Sequence, residues 1–194
     1  MANGPRYRVP LKRRKTGKTD YYQRRGMLKS GETRAVIRKT SKNMLVQFVD
    51  AKPDGDVTLV TSNSRHLQGF GWKITGGNIP AAYLTGYLTG KKAVKAGSES
   101  AIADLGLQVT SRGGRIFATL KGLIDAGIEI PANEAIFPEE DVLKGAHIAS
   151  LSKHLEENNK DALKRFAKYK SAKQKIDGIA KSVDKVKKAI DAEF

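Results

Sequence analysis

The sequence has no cysteine, one tryptophan, three histidines and six prolines in 194 residues. Without cysteine there are no disulfides, no cysteine-ligated zinc and no thiol nucleophile. It also lacks an apolar run long enough to span a bilayer and the apolar core of a secretory leader, so the expectation is a cytoplasmic chain. Acid is scarce at one end: residues 1–29 hold a single carboxylate, Asp20, against ten Lys and Arg. Aliphatic side chains are almost missing there too, so this segment has little with which to offset the entropy of ordering its backbone.

What the first 29 residues do contain is cation and tyrosine in alternation: Arg6, Tyr7, Arg8, then Lys12, Arg13, Arg14, Lys15, Lys18, then Tyr21, Tyr22, Arg24 and Arg25. Cations pair with phosphates and phenol rings stack on bases. The net charge is +16, divided as +9 over residues 1–29, +2 over 30–152 and +5 over 153–194. Basic ends on a near-neutral body describe arms that clamp a polyanion. Charge alone admits RNA, DNA or an anionic membrane, but the basic run lacks the Leu/Phe face that a membrane-lying helix buries. The breaks at Gly4-Pro5 and Val9-Pro10 favour an extended arm ordered on RNA.

The body is long enough for one core. Three strands are expected: residues 33–40, 43–50 and 57–61. Ser41-Lys42 sits at hairpin spacing without being a favoured primed-turn pair, and Lys52-Pro53-Asp54-Gly55 is a stronger turn. Asn78 and Pro80 open a helix whose apolar stripe is Ala81, Ala82, Leu84, Tyr87, Leu88 and Ala93. A short buried strand over 101–107 follows. A second helix, 115–126, carries Ile116, Phe117, Leu120, Leu123 and Ile124 on one face and ends at Gly127. The order strand-strand-strand-helix-strand-helix predicts an α/β fold, a mixed sheet with helices packed on it. Beyond Glu139 the chain turns helical and charged, with Ile176, Ile179, Val183, Val186 and Ile190 as one docking stripe. The expected divisions are a basic arm (1–29), a mixed α/β domain (30–137) and a helical C-terminal extension (138–194).

Catalytic signals are weak. Gly17-Lys18-Thr19 ends like a phosphate-binding loop, but Lys12 occupies the position where that loop needs glycine. Gly69-Phe70-Gly71 starts a dinucleotide fingerprint that fails at Ile74. His66, His147 and His154 have no metal-ligand spacing. A metal-dependent nuclease or RNA-modifying enzyme needs converging carboxylates, for which Asp50, Asp56, Asp104 and Asp125 are the candidates. Nothing in their spacing brings them together, so no metal, cofactor or small-molecule substrate is expected. A basic DNA-compacting protein is a third possibility.

The expected nucleic-acid contacts are three. The first is the arm. The second is the hairpin tip with Arg38, Lys39, Lys42 and Asn43, where polar groups gather at the ends of two apolar strands. The third is the Ser111-Arg112-Gly113-Gly114-Arg115 connection, where glycines admit a close backbone and a helix N-terminus favours phosphate.

Several stretches resemble the archaeal form of the ribosomal protein L-eighteen family, whose eukaryotic counterpart is called L-five. They are Gly4-Pro5-Arg6-Tyr7, residues 17–22 (Gly-Lys-Thr-Asp-Tyr-Tyr), Arg38-Lys39-Thr40, Asp104-Leu105-Gly106-Leu107 and residues 115–122. The most specific is residues 76–86, Gly-Gly-Asn-Ile-Pro-Ala-Ala-Tyr-Leu-Thr-Gly. The resemblance covers roughly residues 4–155. It implies a structural protein of the large ribosomal subunit that binds 5S rRNA and helps attach it to the central protuberance. It also implies a sandwich of the translational-machinery-component type. The implied partners are 5S rRNA, large-subunit rRNA and neighbouring large-subunit proteins. Carried onto this chain, the arm and the Arg38–Asn43 tip become the foremost 5S contacts, with Arg112 and Arg115 secondary.

Overall fold

A computed structural model describes residues 4–158, Phe166 and residues 178–194. Two short helices, α1 (Lys12–Lys15) and α2 (Tyr21–Leu28), precede strands β1 (Arg34–Lys39), β2 (Met44–Lys52) and β3 (Gly55–Asn63). Then come a 3-10 turn over Ser64–Gln68, α3 (Ile79–Lys95), β4 (Ile102–Asp104) and α4 (Arg115–Asp125). After these lie α5 (Glu140–Leu143), α6 (Ala146–Asn158) and a C-terminal helix, Ile179–Glu193. The sheet order is β3-β2-β1-β4, with β4 parallel to β1 and the other pairs antiparallel. The mixed α/β order is as the sequence predicts.

Local chemistry explains several of the boundaries. The Ser41-Lys42 turn is closed by Thr40, whose Oγ1 accepts from the Asn43 amide at 2.9 Å while the Thr40 amide donates to the Asn43 carbonyl at 2.9 Å. A side chain thus does the work that a primed-turn pair would otherwise do. Gly55, at φ 146°, completes the Pro53-Asp54 turn. Asn78 caps α3 by accepting from the Ala81 amide at 2.9 Å. The expected strand over 101–107 stops at Asp104, because the Asp104 carboxylate accepts the Gly106 amide and bends the chain through Gly106 at φ 62°. Beyond that point the Gln108 side chain takes over the edge of β1. It accepts from the Lys39 amide at 3.0 Å and donates to the Lys39 carbonyl at 3.3 Å.

Sheet alternation sends Ala35, Ile37, Met44, Val46 and Phe48 into the core. Against that face lies α3, and it differs from the expected single stripe. Tyr83, Thr85, Gly86, Thr89 and Gly90 are buried along with the predicted residues. The helix is enclosed by the sheet, α4, α5 and the C-terminal helix. Its buried threonines are satisfied locally, Thr85 and Thr89 donating to carbonyls four residues back. Its glycines let the backbones meet. A Cβ on Gly86 would strike the Thr119 carbonyl, and one on Gly122 of α4 would strike the Tyr83 carbonyl. The uncharged 76–86 stretch is therefore a packing motif.

The C-terminal helix buries Ile179, Val183, Val186 and Ile190 in the same core. Ile176 of the predicted stripe lies outside the described residues. Polar contacts fix the docking: Tyr87 donates to Asp191 at 2.6 Å, and Lys187 donates to the Tyr83 hydroxyl at 3.1 Å while standing 4.7 Å from the Tyr87 ring centroid. Among the described residues, this part of the chain packs on the α/β body.

Candidate nucleic-acid interface

The face of the sheet turned away from α3 carries Arg34, Val36 and Arg38 of β1, Gln47 and Val49 of β2, and Asp56 and Thr58 of β3. The arm folds over it, closing a cleft of about 510 Å³ with Lys18, Gln23, Arg24 and Met27. Only Tyr7 to Leu11 fits the expected extended arm, since Gly4 to Tyr7 closes a turn and helices α1 and α2 follow. The cause is Asp20, the one acid of the segment. It caps α2 by accepting the Tyr22 and Gln23 amides at 3.0 and 3.2 Å, and it pairs with Arg14 at 3.0 Å. Arg13 reaches the Thr19 hydroxyl at 3.1 Å, tying α1 to the turn before α2.

Arg24 then locks α2 to the sheet through two hydrogen bonds to Asp56, 3.0 and 2.7 Å long. From Asp56 a line of alternating charge runs across the sheet. Arg34 bonds Asp56 at 2.8 Å and Asp104 at 3.2 Å, and Arg38 bonds Asp104 at 2.9 Å. Arg34 is 2 % exposed and Asp104 5 % exposed, so neither charge is left to water. The hydrogen bonds of Arg24, joined by those of Arg34, hold the Asp56 carboxyl below its usual range against the burial that would raise it. Asp56 in turn raises the Arg24 guanidinium.

The four acids considered for catalysis are each engaged elsewhere. Asp56 and Asp104 sit in this arginine line. Asp50 accepts from Thr33 at 2.6 Å, and Asp125 accepts from Tyr83 at 2.9 Å and pairs with Lys121 at 3.1 Å. No group of three or more His, Asp or Glu is placed to hold a metal among the described residues. His66 serves the 3-10 turn, its Nδ1 accepting the Asn63 amide at 3.3 Å.

The expected contact residues divide in two. Arg13, Arg14, Arg24, Arg38, Lys39 and Arg115 are held within the protein. Lys39 donates to the Val109 carbonyl at 2.6 Å, and Arg115 donates to the Thr40 and Gly77 carbonyls at 3.1 and 3.0 Å. Arg115 thereby bolts the hairpin tip to the start of α3. Asn43 accepts from the Ser64 hydroxyl at 3.2 Å. By contrast, among the described residues the side chains of Arg6, Arg8, Lys12, Lys15, Lys18, Arg25, Lys42 and Arg112 make no ion pair. Tyr7, Tyr21 and Tyr22 are 48, 47 and 62 % exposed, which leaves their rings open to solvent. Arg34 was not singled out from the sequence. Its one signal was its place two residues before Val36 and four before Arg38, on the same face of the strand.

The chain is similar to known proteins. Residues 5–101 match the family described as ribosomal large subunit proteins 60S L5 and 50S L18. The large ribosomal subunit protein uL18 of Thermofilum pendens is 44 % identical over 192 residues, 98 % of each chain. That of Methanothermobacter thermautotrophicus is 42 % identical over 193 residues, the whole of both. The protein of the same name from Methanocorpusculum labreanum is 53 % identical over 149 residues, 77 % of this chain and 86 % of its own.

Proposed function

The chain belongs to the L5/L18 family of large-subunit ribosomal proteins, and from that premise we propose that it binds 5S rRNA and helps attach it to the central protuberance. It is a structural constituent of the subunit and not an enzyme. Its working location is the cytoplasmic ribosome, its partners rRNA and neighbouring subunit proteins. No described helix is long and apolar enough to cross a membrane.

The observation that carries the reading is the state of the arm. Its tyrosines and unpaired cations face outward while Arg24 fastens its base to the sheet through Asp56. Phosphates meet Lys12, Lys15, Lys18 and Arg25, and unpaired bases stack on Tyr21 and Tyr22. Because the arm is already folded at its base, RNA has less chain to order on binding. Arg112 before α4 extends the contact. The inward-turned arginines act differently: Arg38 and Arg115 shape the surface from beneath.

The test is a comparison of 5S rRNA with duplex DNA of similar length at moderate salt. Stacking and 2′-hydroxyl contacts predict a clear preference for the RNA, and equal affinities would mark the arm as a general polyanion binder.

A further inference from the structure

A second cationic cluster lies outside the arm and its cleft. Lys42 at the hairpin tip, Arg65 in the 3-10 turn and Lys73 in the following loop surround a hollow of about 420 Å³ with Gln68, Thr75 and Gly76. Among the described residues no acidic side chain lines it, and none of the three cations makes an ion pair. All three are exposed, while Ile74 beneath them is buried.

The floor of this hollow is rigid. Ser64 Oγ accepts the Met44 amide and donates to Asn43 Oδ1, both at 3.2 Å. Gly77 passes so close to the tip that a Cβ there would stand 2.9 Å from the Ser41 carbonyl. Arg115 joins Thr40 to Gly77, and Trp72 donates to the Thr75 carbonyl at 3.3 Å. The hairpin tip, the 3-10 turn and the loop after it are thus held together, and each presents one cation to the same space. Like charges held close repel, an arrangement that an anion relieves.

We infer that this hollow is a second RNA-backbone site, in which Lys42, Arg65 and Lys73 take phosphodiester oxygens of a stretch separate from the one beneath the arm. The inference rests on the rRNA-binding reading and extends it: the protein grips RNA at two places built from different elements. Lysines act there as point charges, and Arg65 adds a planar fork suited to two oxygens.

The test measures affinity against salt for wild type and the Arg65→Gln/Lys73→Gln double variant, with 5S rRNA and with an unrelated RNA hairpin of equal length. Each lost phosphate contact lowers the slope of log K against log salt by roughly 0.7–0.9, so the variant's slope falls by roughly 1.5. A Lys181→Gln/Lys185→Gln variant removes two exposed charges from the C-terminal helix as a control. An unchanged slope in the first variant, or an equal fall in the control, overturns the site. If wild type holds both RNAs alike, the 5S assignment fails while the slopes still decide the hollow. Since the chain has no cysteine, an iron chelate on Lys73→Cys can report position directly. It is expected to cleave RNA nucleotides untouched by the same chelate on Tyr21→Cys. Cleavage of the same nucleotides, or none, also refutes a separate site.

Discussion

Replacing Asp104 with Asn tests the arginine line at its most buried acid. Asp104 accepts three hydrogen bonds: Arg34 at 3.2 Å on Oδ2, and Arg38 at 2.9 Å and the Gly106 amide at 3.0 Å on Oδ1. Asn keeps the shape and retains the Oδ1 contacts. It turns an NH2 group toward Arg34, donor against donor, and removes the charge between two guanidinium groups. Breaking a buried pair costs about 3–5 kcal/mol because it strands the partner. Here Arg34 keeps Asp56, and the Arg38 side chain is 35 % exposed, which places the cost at the low end, about 3 kcal/mol. For a chain of this length that is a fall in Tm of roughly 6–12 °C. Thermal unfolding followed by circular dichroism measures it, with urea unfolding as a second route. A fall below about 2 °C would refute the reasoning, showing that Arg34 finds water or another partner readily. An RNA-binding loss without a Tm change would refute it differently, by making Asp104 a contact residue.

Gly86→Ala should cost about 3 kcal/mol or more, since its Cβ meets the Thr119 backbone, which α4 cannot move without reopening the core; a Tm near wild type would show that the two helices separate easily. Replacing Lys12, Lys15 and Lys18 with Ala should leave Tm unchanged and lower the salt slope of 5S rRNA binding by roughly two to three, and an unchanged slope excludes phosphate contact by these lysines. Asp56 is depressed in the folded state, so the unfolded chain takes up its proton first as pH falls. Its stabilisation is complete above the ordinary carboxylate pKa of about 4 and is lost as pH drops through the folded value. Asp56→Asn should therefore show a shallower loss of Tm below about pH 4 than wild type does. Tyr87 is raised, by burial first and then by its bond to Asp191. Its contribution is whole below about pH 10 and fades above it, so Tyr87→Phe should blunt the alkaline fall in Tm.

Local chemistry was legible wherever neighbours in the chain decide the outcome. Asn78 before Pro80 announced the start of α3, Gly127 the end of α4, and Pro53-Asp54-Gly55 the turn into β3, because caps and turns are settled within a few residues. Ile179, Val183, Val186 and Ile190 announced a docking face but not its site, which Tyr83 and Tyr87, about a hundred residues earlier, supply. The same limit applies to charge. The concentration of cations before residue 30 was plain, yet which of them stay free was not, because pairing is a matter of distance in space.

The sequence by itself determined the strand-helix order, the electrically lopsided chain with tyrosines in its basic end, and the family to which the 76–86 stretch belongs. Only the tertiary structure decided that Arg24, Arg34 and Arg38 are consumed by Asp56 and Asp104, partners up to 70 positions away. It also decided that Lys42, Arg65 and Lys73 meet over one rigid floor. Helical and strand periods repeat over a few residues and can be read along the chain. An ion pair across a sheet depends on register and on the parallel return of β4, which no local pattern encodes.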